Sequence, residues 1–397
     1  MILQDFDNKL INFIKKYSFI SDPIFLFYPE NIPENLDFST GKLDLKYPNI
    51  DKALEKIDLI KKEYFEIIKL FNEVEILDNF LKEQYKKRLD EIGLIFEIIK
   101  HFYNEDETKK FELITKYFGV DLDFCKNEVL KNKQIIFDEF NALKEKSYLF
   151  DDIYKKIKNR LDEEVSDIEI KYYFEKALKF LKIDKYWKVV IDENAMSFVH
   201  GDFNNNGGTI FIPKNRTIKL SYLILLIIHE IDGHSKQFTN FGEIGLYKSI
   251  IRFSQAEEIL EGLAIYLEYS FEYLILRQSR LENIINNFEN RINFINGKIT
   301  FDNFLNFYTK KDLLNRIFRG FRNIKNFINT KDLIYTQGIY KIIKYKNKYG
   351  DDLFEKIYSG VINAEYIEKD CKRGKDFEVI SFLKNSSAFY ILTKIIG

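Results

Sequence analysis

Residues 219–234 read KLSYLILLIIHEIDGH, an apolar run that ends in two histidines and two carboxylates. Ser221 offers an N-cap near its start, and no helix breaker intervenes before Gly233. A buried helix is therefore expected to carry His229, Glu230 and His234. The chain has 4 histidines, and two of them flank one glutamate in this segment. Neutral imidazoles take zinc readily, and a catalytic zinc site has three protein ligands plus a water whose pKa falls toward ~7. His229 and His234 are thus candidate ligands, and Glu230 is placed to accept the proton of that water. Histidines five apart point about 140° apart on an ideal α-helix. A shared metal therefore requires a wider, π-type turn or a helix end between Ile231 and His234, for which Gly233 has the backbone freedom.

The next helix, expected from roughly Ser254 to Tyr273, contains QAEEILEGLAIYLEYS and offers Glu257, Glu258, Glu261 and Glu268. Gly262 costs a helix about 1 kcal/mol relative to alanine and so marks close packing. Leu260, Leu263, Ala264 and Leu267 form an apolar stripe with Glu261 at its edge. Glu261 is the expected third ligand, with Glu257 and Glu258 as alternatives.

Upstream, WKVVIDE, MSFVHGD and GTIFIPK alternate in the manner of strands, with turn residues Asn204 to Gly208 before the last. They predict a small antiparallel sheet in which GTIFIPK is an edge strand able to pair with an extended peptide. His200 could line the same cleft. From Asp51 to about Leu181 apolar residues recur at helical spacing, after an amphipathic first helix and an irregular, proline-bearing connector, FLFYPENIPENLDFSTGKLDLKYPNID. The expected class is α+β, mainly α, with a helical N-terminal region over 1–182 and a catalytic core over 183–397, or one continuous unit.

Lysine and arginine number 61 against 62 acidic residues. This balance gives no general pull toward nucleic acid or an anionic membrane. The run Leu223–Ile228 is far short of the roughly 20 residues a membrane helix needs, and the N-terminus lacks the layout of a signal peptide. Two isolated cysteines, Cys125 and Cys371, fit buried thiols of a reducing compartment, so the cytoplasm is the expected location.

HEIDGH followed by LEGLA resembles the HExxxH and Q-E-G-L-A or E-E-G-L-A pair of the microtubule-associated tyrosine carboxypeptidase family and its bacterial QEGLA-motif relatives. YPENIPENLDF and LKYP are similar to that family's early segment. NRIFRG (Asn315–Gly320) resembles its Arg-x-x-Arg-Gly, and TKDLIYTQG (Thr330–Gly338) its Phe-Thr-Lys-Asp-x-x-Tyr-x-x-Gly. Asn329 stands where the family has phenylalanine, and Leu260 where it has glutamine or glutamate. The resemblance implies a zincin-like core, one zinc per chain on His229, His234 and Glu261, Glu230 as the catalytic glutamate, and release of a C-terminal aromatic residue from a peptide or protein.

Such an enzyme must hold a terminal carboxylate, which an arginine fork does with two parallel hydrogen bonds. Arg316 and Arg319, then Lys331, are the candidates, though each could equally serve a structural ion pair. Tyr335 is a candidate donor to the oxyanion. Two other readings share the motif: a binding or regulatory protein stabilised by a metal, and a metallohydrolase of a non-peptide amide.

Overall fold

The computed structural model describes residues 2–21, 26–27, 42–43, 45–104, 107–193, 199–202, 207–243, 254–309, 313–322, 324–359 and 364–396. Most of the proline-bearing connector, the turn residues Asn204 to Asn206 and the side chain of His200 lie outside the described residues. The chain is mainly helical with a small sheet. It forms two compact units, Met1–Lys131 with Leu246–Glu257 and Ile285–Thr336, and Asn132–Gly245 with Glu258–Ile284 and Gln337–Gly397. The chain passes between units several times, so a single cut at residue 182 does not separate them.

In the first unit the helix Leu3–Lys16 buries Phe6, Leu10, Phe13 and Ile14, the apolar stripe that its spacing dictates. The helices Ile57–Glu73 and Asn79–His101 are joined where Tyr64 Oη donates to the Leu89 carbonyl at 2.6 Å. Tyr85 Oη donates to Asp7 Oδ1 at 2.7 Å, which gives that buried carboxylate a partner. Asn329 is fully buried. Its side-chain amide donates to the Arg319 carbonyl at 3.1 Å and accepts from the Lys331 N–H at 3.0 Å, tying the segment NRIFRG to TKDLIY. A phenylalanine at that position could make neither bond.

The second unit holds both sheets. Strand β1 (Glu164–Ser166) pairs antiparallel with β5 (Thr217–Lys219). The larger sheet has the order β2 (Trp187–Asp192), β4 (Gly207–Pro213), β3 (Val199–Asp202). Two expectations are corrected here. The sheet is mixed rather than antiparallel, because β2 and β4 run parallel, with Val189 opposite Ile210, while β3 and β4 run antiparallel. Among the described residues GTIFIPK is the central strand, not an edge: it pairs with β2 over Gly208–Pro213 and with β3 over Gly207–Ile210. Its position follows from burial, since Ile210 and Ile212 are fully buried. Full burial of such side chains contributes roughly 1.5–3 kcal/mol each.

The motif helix begins at Leu220 after β5, with Lys219 at the N-cap position and Ser221 already inside. Leu223, Ile224, Ile227, Ile228 and Ile231 form its buried face. No described helix is long and apolar enough to cross a membrane. Cys125 and Cys371 are buried and not disulfide-bonded.

Candidate metal centre

The motif helix changes pitch where its histidines begin. Residues Leu220–Leu226 are α-helical, Ile227–Ser235 form a π-helix, and an α-helix resumes over Lys236–Glu243. At about 4.4 residues per π turn, positions five apart lie about 50° apart instead of about 140°. Nε2 of His229 and Nε2 of His234 are accordingly 3.2 Å apart, with their rings nearly perpendicular.

Side chains compensate the poorer backbone geometry of the wide turn. Ser235 Oγ donates to the Glu230 carbonyl at 2.8 Å, Tyr358 Oη to the Asp232 carbonyl at 3.1 Å, and Thr239 Oγ1 to the Ser235 carbonyl at 2.9 Å. Trp187 of β2 in turn donates its indole N–H to Thr239 Oγ1 at 2.8 Å. Asp232, buried inside the motif, accepts from the Ser387 N–H at 2.8 Å, the Ser387 hydroxyl at 2.9 Å and the Ala388 N–H at 3.1 Å. Burial pushes its carboxyl up to about 6 against the pull of those bonds.

Gly233 serves the site differently from the sequence expectation. Its φ is not positive. A Cβ there would lie 3.3 Å from the Ala264 Cβ, so glycine allows the motif helix to approach the helix Ser254–Phe271 closely. Ala264 shares a helix face with Glu261 three residues before it and Glu268 four residues after it. The close approach therefore sets both carboxylates against the histidines.

Glu261 Oε2 lies 3.4 Å from His229 Nε2 and 3.5 Å from His234 Nε2. It is buried and, among the described residues, has no hydrogen-bond partner. A buried carboxylate oxygen facing two ring nitrogens without a hydrogen bond fits a shared cation. Three ligand atoms on a tetrahedral zinc with bonds of about 2.0–2.1 Å are about 3.3–3.4 Å apart, and the three distances here are 3.2, 3.4 and 3.5 Å. The carboxylate of Glu230 lies within 4.8 Å of ligand atoms of both histidines. The donor set, two imidazoles with the carboxylates of Glu230 and Glu261 beside them, is one that a divalent metal such as zinc could take.

The surrounding carboxylates favour a protonated His229, so a metal bound there would have to displace that proton. Burial would lower the pKa of His229, but Glu261 and Glu268 outweigh it and hold it well above 6.5. Burial would raise Glu261, but the facing His234 and His229 hold it well below the usual carboxylate range.

The alternatives for the third ligand are engaged elsewhere. In the second unit Glu258 is buried, bonded to the Gln337 amide, and accepts from Lys341 Nζ at 2.9 Å. In the first unit Glu257 faces Lys331 Nζ at 3.8 Å. Arg316, Arg319, Lys331 and Tyr335 also belong to the first unit. There Arg316 Nε lies 2.9 Å and Arg291 Nη2 2.7 Å from Asp332 Oδ2, and Arg319 is buried nearby in charge terms, acting on the same carboxylate. Tyr335 is half-buried on the helix Leu333–Tyr349. The structure thus brings His229, Glu230, His234 and Glu261 together, and it gives Arg316 and Lys331 carboxylate partners of their own.

One contributor had no assigned role from sequence. Glu268 Oε2 lies 2.9 Å from His229 Nδ1. Its signal was its spacing, since it stands two helical turns beyond Glu261 on the same face. Neither a family model, nor a curated protein, nor a solved structure matches this chain.

Proposed function

We propose that the chain is a zinc-dependent peptidase with a zincin-like core, holding one zinc on His229, His234 and Glu261. The triangle of those three ligand atoms, closed by the unpartnered Glu261 oxygen, is the observation that carries this reading. Zinc bound there would supply an acidified water and polarise the scissile carbonyl. Glu230, adjacent to one ligand and close to both, takes the water's proton and delivers it to the leaving amine. Strand β3 is an edge of its sheet among the described residues and packs beside the π-helix. It is the backbone edge on which an extended peptide would align, in place of β4.

Release of a C-terminal tyrosine or phenylalanine follows from the motif resemblance. It would require Arg316, Arg319 or Lys331 to take the terminal carboxylate and Tyr335 to assist at the oxyanion. Because Asp332 and Glu257 already occupy Arg316 and Lys331, we hold the substrate at the level of a peptide amide, with unblocked C-terminal aromatic peptides as the first assay.

The test is metal analysis together with hydrolysis. Wild-type protein is expected to hold about one zinc and to cleave peptides, whereas Glu230→Gln keeps the zinc and loses cleavage. A zinc-loaded wild type as inert as Glu230→Gln across free and amidated peptides would overturn the peptidase reading. Unchanged zinc content in both His229→Ala and Glu261→Ala would overturn the site.

A further inference from the structure

His229 is held from both sides by one helix. Glu261 faces its Nε2, and Glu268, two turns further along, lies 2.9 Å from its Nδ1. Glu268 is only 8% exposed, and its two oxygens are divided between two partners. Oε2 meets the histidine, while Oε1 accepts from Arg280 Nη2. Arg280 is itself fixed by a second carboxylate, since its Nε donates to Oε1 of the fully buried Glu272 at 3.0 Å. If Glu268 served only as the counterion of Arg280, both oxygens would be expected on the guanidinium fork, the bidentate geometry such pairs favour. The split places one oxygen on the imidazole.

We propose that Glu268 is a positioning residue for the metal: it accepts the Nδ1–H of His229, so that the unprotonated Nε2 is the atom presented to the ion, and Arg280 anchors Glu268 in that pose. This inference rests on the reading of His229, His234 and Glu261 as a zinc centre. An imidazole without such an acceptor is free to carry its proton on either nitrogen and to rotate about χ2. A carboxylate on the far nitrogen removes both freedoms and makes the metal-facing nitrogen more basic. Outer partners of this kind change metal affinity by about 10–100-fold when removed. Arg280, partly exposed itself, is thus tied to two carboxylates, Glu268 and the buried Glu272.

The experiment measures zinc affinity of the full-length protein by competition with a chromogenic chelator, and the visible spectrum of the cobalt-loaded protein as a report on ligand geometry. Glu268→Ala is expected to bind zinc about 10–100-fold more weakly and to shift the cobalt bands. Glu268→Gln, whose amide oxygen still accepts from Nδ1–H, should lose about tenfold or less, and its cobalt spectrum should stay close to wild type. Arg280→Met, which leaves Glu268 unanchored, should weaken zinc several-fold. A purely structural role would lower the thermal midpoint of the zinc-free variants while leaving the affinity of the folded protein and the cobalt spectrum unchanged. Zinc affinity within threefold of wild type in both Glu268 variants overturns the proposal and leaves the metal site standing. If Glu268→Ala does not fold, Arg280→Met with the zinc affinity and cobalt spectrum of the wild type overturns it. Absence of zinc binding by the wild type is the separate failure of the metal centre itself.

Discussion

A Cβ atom on Gly262 would lie 2.5 Å from the carbonyl carbon of Gly338, so the helices Ser254–Phe271 and Leu333–Tyr349 meet backbone to backbone. The contact is reciprocal, since a Cβ on Gly338 would meet the Glu258 carbonyl oxygen at 2.1 Å. Helix propensity alone would make Gly262→Ala stabilising by about 1 kcal/mol. Two backbones cannot yield as a flexible side chain does, and overpacking of this kind costs about 1–3 kcal/mol. The expected net result is a loss of up to about 2 kcal/mol in urea unfolding. Because Glu261 is the adjacent residue, zinc affinity should fall in the same variant. A Gly262→Ala protein more stable than wild type would show that the crossing is looser than described.

The buried Asp232 yields a second prediction. It accepts three hydrogen bonds from Ser387 and Ala388. Asp232→Ala strands two buried backbone donors, each worth about 1–3 kcal/mol when unsatisfied. A loss of about 3 kcal/mol is expected. Ser387→Ala removes one bond of the three and should cost about 1 kcal/mol. Chemical denaturation of both variants checks the ratio, and equal losses would contradict the shared role assigned to the two backbone N–H groups.

How far the sequence announced these features depends on the range of the interaction. The π-helix was legible because two histidines five apart can meet one metal only if the turn widens, and the placement of Glu261 against both histidines was legible from the adjacent Gly262 and its apolar stripe. Gly233 was read for its backbone freedom, while its actual use is contact with Ala264, which no local pattern reveals. Strand alternation identified β2, β3 and β4 but carried no information on their order, so the central place of β4 and its parallel pairing with β2 emerged only from the fold. The bonds between Asp232 and Ser387 join residues 155 apart, and no spacing signal reaches that far. Asn329 looked like a departure from a motif and is instead a bridge between two segments.

Asp332 gives a pH dependence whose sign is fixed by its neighbours. Burial would raise its pKa, but Arg291, Arg316 and Arg319 outweigh it and hold it well below the ordinary 3.8. A carboxylate whose folded pKa is depressed contributes stability that is complete above the unfolded value of about 3.9 and fades as pH falls toward the folded value. Wild-type protein should therefore lose stability as the pH is lowered below about 4, and Asp332→Asn should lose less over that window. At pH 7 the variant is expected to be about 3 kcal/mol less stable, since it leaves the buried Arg291 without its counterion. Parallel curves of stability against pH for the two proteins would show that the cluster is not linked to folding.

The last prediction couples the metal to the fold. The three proposed ligand side chains come from one π-helix and one neighbouring helix, and Glu261 Oε2 is buried without a hydrogen bond. An ion that binds this folded geometry and not the unfolded chain stabilises it by about 2.7 kcal/mol at 100 times its dissociation constant. Zinc should therefore raise the thermal midpoint in a concentration-dependent way, and a chelator should reverse the rise. His234→Ala and Glu261→Ala should lose most of that dependence, while Glu230→Gln, which changes no ligand, should retain it in full. The two kinds of variant also separate binding from chemistry. If Glu230→Gln lost the zinc-dependent stabilisation as completely as Glu261→Ala, Glu230 would be a ligand, and its assignment as the proton acceptor would have to be abandoned.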